Sequence, residues 1–480
     1  MIDKYELVIG LEIHLQLNTR SKAFCGDAVA FGSAANNHVS AISLGHPGTL
    51  PRLNKEQLKK AVKLGIALGS TISLVSKFDR KNYFYADLPK GYQITQDKVP
   101  ICVGGGIEIK TAAGPRYIRF HHIHMEEDAG KLIHDMDDHF SFIDLNRAGT
   151  PLLEMVTEPD LRTAEEVAAL MSSIRQLARY LEISDGNMEE GSMRCDCNIS
   201  VKLRTADELG ERCEVKNVNS MKFAKQAIEY EFKRQVEIIE NGGKIERNTL
   251  NFDPNTGITT PLRSKEDAND YRYFPEPDLC PVRISKEEIE EIKALMPRLP
   301  KDLFDEFTAE FGLSQQEAEI LTEEKEMGLY FRNLCLTAPN KKSLTNLVIN
   351  KIRPYLIENN LTLDNLSAKN HQILAFLKLI EDGIVSSAIA YQRIFPYIME
   401  NNSKMPLQIA QELNLIQSSD TDFIENICKE VILAFPDKVK YYQKGKKGLI
   451  GFFMGEVMKR SKGQAEPKST TEILNRMLLQ

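Results

Sequence analysis

Three stretches of this sequence place acids and bases on one side of an extended strand. In Ile9-Gly10-Leu11-Glu12-Ile13-His14-Leu15-Gln16-Leu17 every odd position is apolar, so Glu12, His14 and Gln16 share the opposite face. From Met193 to Arg204 the same alternation sets Met193, Cys195, Cys197, Ile199, Val201 and Leu203 on one side and Arg194, Asp196 and Asn198 on the other. In Cys213–Val218 Glu214 and Lys216 fall together. Further acids follow a His-rich strand (Glu126-Glu127-Asp128) and a turn (Glu154). Carboxylates in this number suit magnesium, which takes one or two of them together with water and substrate phosphates. Lys81, Arg147, Arg194 and Lys216 are the cations that could meet phosphate oxygens and stabilise phosphoryl transfer. Taken singly, each of these residues is equally well an ordinary surface charge. Polar strand faces converging in space would make them a site.

Other site types are weak or missing. No Gly-x-x-x-x-Gly-Lys-Ser/Thr occurs, so a nucleotide is not held by a P-loop. Gly104-Gly105-Gly106 reads as a hairpin turn. In His121-His122-Ile123-His124 only His122 and His124 can share a side, and packed or hydrogen-bonded histidines are the plainer reading than a metal cluster. Cys195 and Cys197 lie on the apolar face, which favours two buried thiols over a zinc site. No Ser/Lys or Cys/His arrangement is present that would release ammonia from glutamine.

The elements that must position these residues can be sketched from pattern. Strands, Gly/Pro turns and a few helices alternate to about residue 290. Thr163, followed by Glu165 and Glu166, opens a helix to about Leu181, with acids at the positive end of its dipole. Ala224, Ile228, Phe232, Val236 and Ile239 form a helical stripe stopped by Asn241-Gly242-Gly243. The prolines of Phe274–Pro281, then Pro297 and Pro300, mark a boundary, beyond which the pattern is helical. Lys404-Met405-Pro406 predicts a hinge into a second helical block. At 480 residues, roughly two to four domains are expected. No run of about 18 apolar residues exists to span a membrane, and the start shows no signal peptide. Eight scattered cysteines suit reduced thiols in a cytoplasm. The net charge of −7 means that any nucleic-acid contact needs a local basic patch.

Longer strings carry a family resemblance. Val8–His14, FDRKNYFYADLPKGYQITQ (78–96), HMEEDAGK (124–131), DLNRAGTPLLEMVTEPD (144–160), MEEGSMRCDCNIS (188–200), EVKNVNS (214–220), DYRYFPEPDL (270–279) and KKGLIGFFMGEVMKRSKGQAEP (446–467) resemble, in order, the signatures of the GatB/GatE family of tRNA amidotransferases. The resemblance implies an α+β chain in three parts. Residues 1–292 would be a cradle domain with a largely antiparallel sheet, similar to the glutamine synthetase and guanido kinase group. An all-helical domain would follow over 293–405, then a YqeY-like helical tail over 406–480 that binds tRNA.

It also implies a chemistry. ATP and Mg2+ phosphorylate the side-chain carboxylate of Asp or Glu on mischarged tRNA(Asn) or tRNA(Gln). Ammonia from the glutaminase of the complex, its A subunit, then displaces the phosphate, while the C subunit ties the heterotrimer together. The missing amidase nucleophile would thus belong to another chain, making this one the working part of a glutamine-dependent carbon–nitrogen ligase. By resemblance His14 and one of Glu126 and Glu127 are magnesium ligands, with Glu12 the next candidate. Glu154, Asp196 and Glu214 match further acids around that site, Arg147, Arg194 and Lys216 serve the phosphates, and Lys81 and Lys90 line the ammonia path. Many relatives carry a four-cysteine zinc site near the start. Here the corresponding runs read Phe24-Cys25-Gly26-Asp27 and His38-Val39-Ser40-Ala41-Ile42-Ser43, so no structural zinc is expected.

In the tail, Lys438, Lys440, Lys444, Lys446, Lys447, Lys459, Arg460, Lys462 and Lys468 stand against only Glu456 and Glu466 between residues 438 and 468. Tyr441, Tyr442, Phe452 and Phe453 are interleaved with them. Composition alone fits either a solvated helix face over a small core or a surface for RNA phosphates. The resemblance favours RNA, with Lys444, Lys446, Lys447, Lys459, Arg460 and Lys462 as contacts. Two other readings are a tRNA-binding scaffold with a decayed metal site and a stand-alone small-molecule ligase. The intact acids oppose the first; the basic tail and the absent ammonia source oppose the second.

Overall fold

The computed structural model describes residues 2–134, 137, 139–218, 220–263, 271–400, 403–418 and 420–479. Asn219 and Asp270, each within a family signature, lie outside the described residues. The chain divides into two compact units, residues 1–302 and 303–480.

The strands of the first unit that position the site are, in chain order, β1 (Tyr5–Gln16), β2 (Thr71–Ile72), β3 (Asp79–Asn82), β4 (Tyr92–Thr95), β5 (Cys102–Val103), β6 (Gly106–Thr111) and β7 (Gly114–Glu127). They are followed by β8 (Pro151–Thr157), β9 (Met193–Leu203), β10 (Cys213–Val218), β11 (Thr249–Asp253), β12 (Ile258–Arg263) and β13 (Phe274–Pro275). The main sheet runs β12-β11-β10-β9-β1-β8-β7-β5-β2, with β6 also paired to β7. All its pairings are antiparallel except β10 with β11. A second, small sheet, β13-β3-β4, stands by the end of β7.

Alternation along β1 does what the sequence expects. Leu7, Ile9, Leu11, Ile13 and Leu15 are buried in one core with Leu153 and Met155 of β8, Ile123 and Met125 of β7, and Cys195, Cys197 and Ile199 of β9. Helices α1 (Lys55–Ala67), α2 (Ala164–Tyr180) and α3 (Met221–Glu240) add to that core; α2 contributes Val167, Leu170, Met171 and Ile174, and α3 contributes Ala224 and Ile228. Each fully buried aliphatic side chain is worth about 1.5–3 kcal/mol, so the apolar stripe fixes which face of each strand points outward. A one-residue slip of β1 would bury Glu12 and His14 instead. Thr163 caps α2 by accepting from the Glu166 N–H at 3.1 Å, and Ser220 caps α3 by accepting from Phe223 N–H at 3.1 Å.

Two expectations shift. The turn of the hairpin lies at Ala112-Ala113 between β6 and β7, whereas Gly104 and Gly105 kink the edge where β5 gives way to β6, both strands pairing with β7. Both have positive φ (66° and 88°), and a Cβ on Gly105 would lie 2.6 Å from the Leu68 carbonyl oxygen. Only glycine fits there. The first compact unit runs to residue 302, and Met296 and Leu299 pack against its core.

The second unit is helical. The segment around Lys404-Met405-Pro406 is tied down: Gln372 Nε2 donates to the Lys404 carbonyl at 2.9 Å. The last part gathers a core of its own from Ile424, Cys428, Val431, Tyr442, Phe453, Val457, Leu474 and Leu478.

Candidate active site

The register of the main sheet brings the predicted front-face residues together. His14 on β1 pairs across to Glu154 on one side and Arg194 on the other. Glu12 pairs with Asp196, Glu154 with His124, and Asn198 with Glu214. Two clusters result. His14, Glu126 and Glu154 offer ligand atoms within 4.8 Å of one another, and so do Glu12, Asp196 and Glu214.

The first cluster is the more buried. His14 Nε2 lies 3.3 Å from Glu154 Oε2 and 3.8 Å from Glu126 Oε1. His124 Nε2 stands 3.4 Å from Glu154 and 3.7 Å from Glu126. Burial pushes the His14 and His124 imidazoles towards neutrality, but Glu154 and Glu126 reverse this; His14 is raised and His124 is pushed up to about 10. Burial likewise resists ionisation of Glu154, yet His124 and His14 hold its carboxyl well below the usual range.

In the second cluster, burial, then the charge of Glu154 and those of Glu214 and Asp196, raise Glu12 above the ordinary carboxyl range, against a 2.9 Å hydrogen bond from Asn198 Nδ2. Lys216 Nζ donates to Asp196 at 2.9 Å and lies 2.7 Å from Glu214. Burial opposes the Lys216 charge, but those two carboxylates hold it above the usual lysine range. Arg194 bears on both clusters, through Glu126 of the first and Asp196 of the second. Beside the second cluster opens a cavity of about 460 Å3, lined among others by Glu12, Asn198, Ser200, Arg212 and Arg247.

The adjacent pair Glu126-Glu127 divides. Glu126 joins the His14 cluster, whereas Glu127 accepts from Lys90 Nζ and from the Ile94 N–H at 3.0 Å. Successive strand residues point to opposite sides, so one pair serves two places. Lys81 approaches from β3. Burial works against its charge, but Glu126, then Tyr273 and Glu154, hold its ammonium above the usual lysine range, and its Nζ lies 5.0 Å from the centre of the Tyr271 ring. Arg147 does not reach either cluster's ligand atoms through any hydrogen bond: its Nε donates to the Ala129 carbonyl at 3.0 Å and its Nη2 to the Gly130 carbonyl at 2.5 Å.

The histidine run is hydrogen-bonded: His121 Nδ1 lies 2.8 Å from His122 Nδ1, and His122 Nε2 lies 3.1 Å from His124 Nδ1. Cys195 and Cys197 are buried thiols on the apolar face. Sequence reasoning did not single out Arg212, Arg247 or the partner role of Asn198. Asn198 had a signal, since it shares the strand face of Asp196; the two arginines sit where no periodicity marks them.

In the tail, Lys444, Lys446, Lys447, Lys459, Arg460 and Lys462 are all exposed. Lys446 leans over the Tyr441 ring at 5.0 Å and Lys447 over Tyr442 at 4.5 Å. Tyr442 and Phe453 are core residues, which leaves Tyr441 as the exposed ring.

A family model described as the GatB/GatE catalytic domain matches residues 7–290, and one described as the GatB domain matches residues 329–478. The chain belongs to the GatB/GatE family. Both acid clusters fall within the first match and the basic tail within the second. Curated relatives align end to end. The B subunit of the aspartyl/glutamyl-tRNA(Asn/Gln) amidotransferase of Geotalea uraniireducens is 47% identical over 480 residues, covering 99% of each chain. Its namesake from Geotalea daltonii is 46% identical over 480 residues, again covering 99% of each. That from Thermodesulfovibrio yellowstonii is 44% identical over 475 residues with the same coverage.

Proposed function

We propose that this chain is the amidating component of a glutamine-dependent tRNA amidotransferase, converting Asp-tRNA(Asn) and Glu-tRNA(Gln) to Asn-tRNA(Asn) and Gln-tRNA(Gln) with ATP. Full-length identity to named amidotransferase chains supports the reaction. The observation that carries the assignment of the site is the convergence of two ligand clusters, with Arg194 paired across the sheet to His14 and under the charge of both, beside a cavity large enough for a nucleotide.

The donor sets fit a divalent cation: imidazole and carboxylate in one, three carboxylates in the other. Magnesium, when bound there, supplies charge neutralisation for phosphate oxygens. His14, Glu126 and Glu154 would hold one ion; Glu12, Asp196 and Glu214 would hold another. The nucleotide lies in the cavity, with Arg212 and Arg247 on its phosphates. Arg194 and Lys216 meet the group in transfer. A side-chain carboxylate oxygen of the aminoacyl-tRNA attacks the terminal phosphorus of ATP, and ADP leaves with the bonding electrons of the broken P–O bond. Ammonia then attacks the acyl carbon and phosphate departs. The ammonia nitrogen gives up one proton to form the amide. Ammonia arrives from a separate glutaminase chain, the A subunit of a complex completed by the C subunit, past Lys90 and Lys81, in a cytoplasmic protein. The first unit would be the cradle domain related to glutamine synthetase and guanido kinases, followed by a helical domain and a tRNA-binding tail from about residue 406. Among the described residues no helix is long and apolar enough to cross a membrane.

No structural zinc belongs to this scheme. The loop that would hold it carries one thiol, and its side chains close on each other: Asp27 accepts from Ser43 Oγ and from the Ser40 N–H at 3.0 Å, and Cys25 Sγ lies 3.5 Å from Ser43 Oγ. Metal analysis should find less than stoichiometric zinc in the purified protein; one zinc per chain would overturn this.

The test of the whole reading is ATP hydrolysis by the reconstituted complex. It should depend on mischarged tRNA and be lost in His14→Ala. Turnover without tRNA, or full activity in that variant, would sink the proposal.

A further inference from the structure

Asp128 follows the last residue of β7 and is 4% exposed. Its carboxylate is gripped from several directions. Gln16 Nε2 donates to Oδ2 at 2.7 Å, the Ala129 N–H to Oδ1 at 3.0 Å, and Arg194 Nη2 spans both oxygens at 3.0 and 3.1 Å. Arg147 Nε approaches Oδ2 at 3.7 Å. The Asp128 backbone is fixed as well: its N–H donates to the Thr150 carbonyl and its carbonyl accepts from the Gly149 N–H, both at 2.8 Å.

The arrangement matters for what it leaves free. Arg194 is committed to Asp128 through Nη2, while its buried Nε has no hydrogen-bond partner in the protein. Arg194 pairs across the sheet with His14 of one ligand cluster and lies two residues before Asp196 of the other on the same strand face, and the charges of Glu126 and Asp196 both act on its guanidinium. The loop around Asp128 does not need Arg194 to hold its course, because Arg147 already ties the carbonyls of Ala129 and Gly130. An arginine side chain left to itself samples many rotamers; one nitrogen held by a rigid buried carboxylate fixes the plane and direction of the rest of the fork.

We propose that Asp128 is a positioning residue: by holding one nitrogen of Arg194 it aims the remaining donors at the phosphoryl group moving between the two acid clusters. Gln16 completes the grip through its own hydrogen bond to Oδ2. This rests on the reading that Arg194 meets the transferred phosphate. Outer residues that orient a functional group cost about 10–100-fold in activity when removed, and that is the effect expected of Asp128.

The experiment is a double-mutant cycle in the reconstituted complex, read as mischarged-tRNA-dependent ATP hydrolysis. Asp128→Asn keeps the shape and removes the charge. It should lower kcat about 10–100-fold, with little change in KM for the mischarged tRNA. In an Arg194→Ala background the same change should cost nothing further, because the group it orients is gone. Unchanged kcat in Asp128→Asn, or a full additional loss in the Arg194→Ala background, would overturn the inference. Full activity in Arg194→Ala alone would instead remove the arginine from phosphate binding and take the inference with it. If Asp128→Asn does not fold, Arg194→Lys serves: it keeps the charge but loses the fork. A comparable drop in kcat supports the positioning role and an undiminished kcat refutes it.

Discussion

On the sheet face Lys216, Lys90 and Arg194 are each taken up by a carboxylate, whereas in the tail Lys446 and Lys447 lean on tyrosine rings and stay exposed. The difference is one of direction. Charges on the sheet are paired inward, half-buried or buried, in surroundings where the field of one group shifts its neighbours strongly. Such pairs add little net stability, because desolvation offsets most of the attraction; they fix geometry. Charges in the tail face water, where they are screened within about a Debye length, ~8–10 Å at working salt. They cannot organise a reaction, but they can attract a polyanion and release its counterions. One region is built to place atoms and the other to gather phosphates.

The sharpest way to break the comparison is within the sheet. Glu126 sits in the buried ligand cluster and Glu127 pairs with Lys90, so their variants should fail differently. Glu126→Gln should depress tRNA-dependent ATP hydrolysis by about 100-fold or more, the scale of losing a group that stabilises developing charge. Glu127→Gln should leave more of that hydrolysis and lower amidation driven by glutamine more than amidation driven by added ammonium salt. Both reactions can be followed on the same reconstituted complex. Equal losses in the two variants across both assays would show that the pair acts as one unit.

That division explains what was legible beforehand. The front face could be read because β1 and β9 alternate strictly, and alternation fixes a side for every residue without any knowledge of neighbours. Which strands lie side by side was not in the pattern. His14 meets Glu154, 140 positions later in the chain, only through the order β9-β1-β8-β7. Arg147 shows the limit from the other direction: it lies in a family signature, yet it donates to backbone carbonyls and approaches Asp128 rather than the acids of the two clusters. Arg212 and Arg247 line the cavity from segments with no periodic signal. The helices were read well where caps were explicit, at Thr163 and at Asn241-Gly242. The exact end of the first unit was less legible, because prolines mark breaks in local structure and say nothing about whether Met296 and Leu299 still pack on the preceding core.

The tail allows a gentler test. Its core is its own, drawn from residues between Ile424 and Leu478, so removing residues from about 410 onward should spare the sheet. Aminoacyl-tRNA binding should weaken while ATP binding persists, and unchanged tRNA affinity would refute a role for this region. A smaller change separates charge from bulk. Lys446→Ala with Lys447→Ala removes two exposed ammoniums that pack against tyrosine rings and belong to no salt bridge seen among the described residues. If both neutralise phosphates, the slope of log affinity against log salt should fall by about one per lysine while the preference for one tRNA over another stays as it was. A loss of affinity with no change in slope would mean that the pair acts through packing on Tyr441 and Tyr442. The tail would then resemble the sheet face more than its exposure suggests.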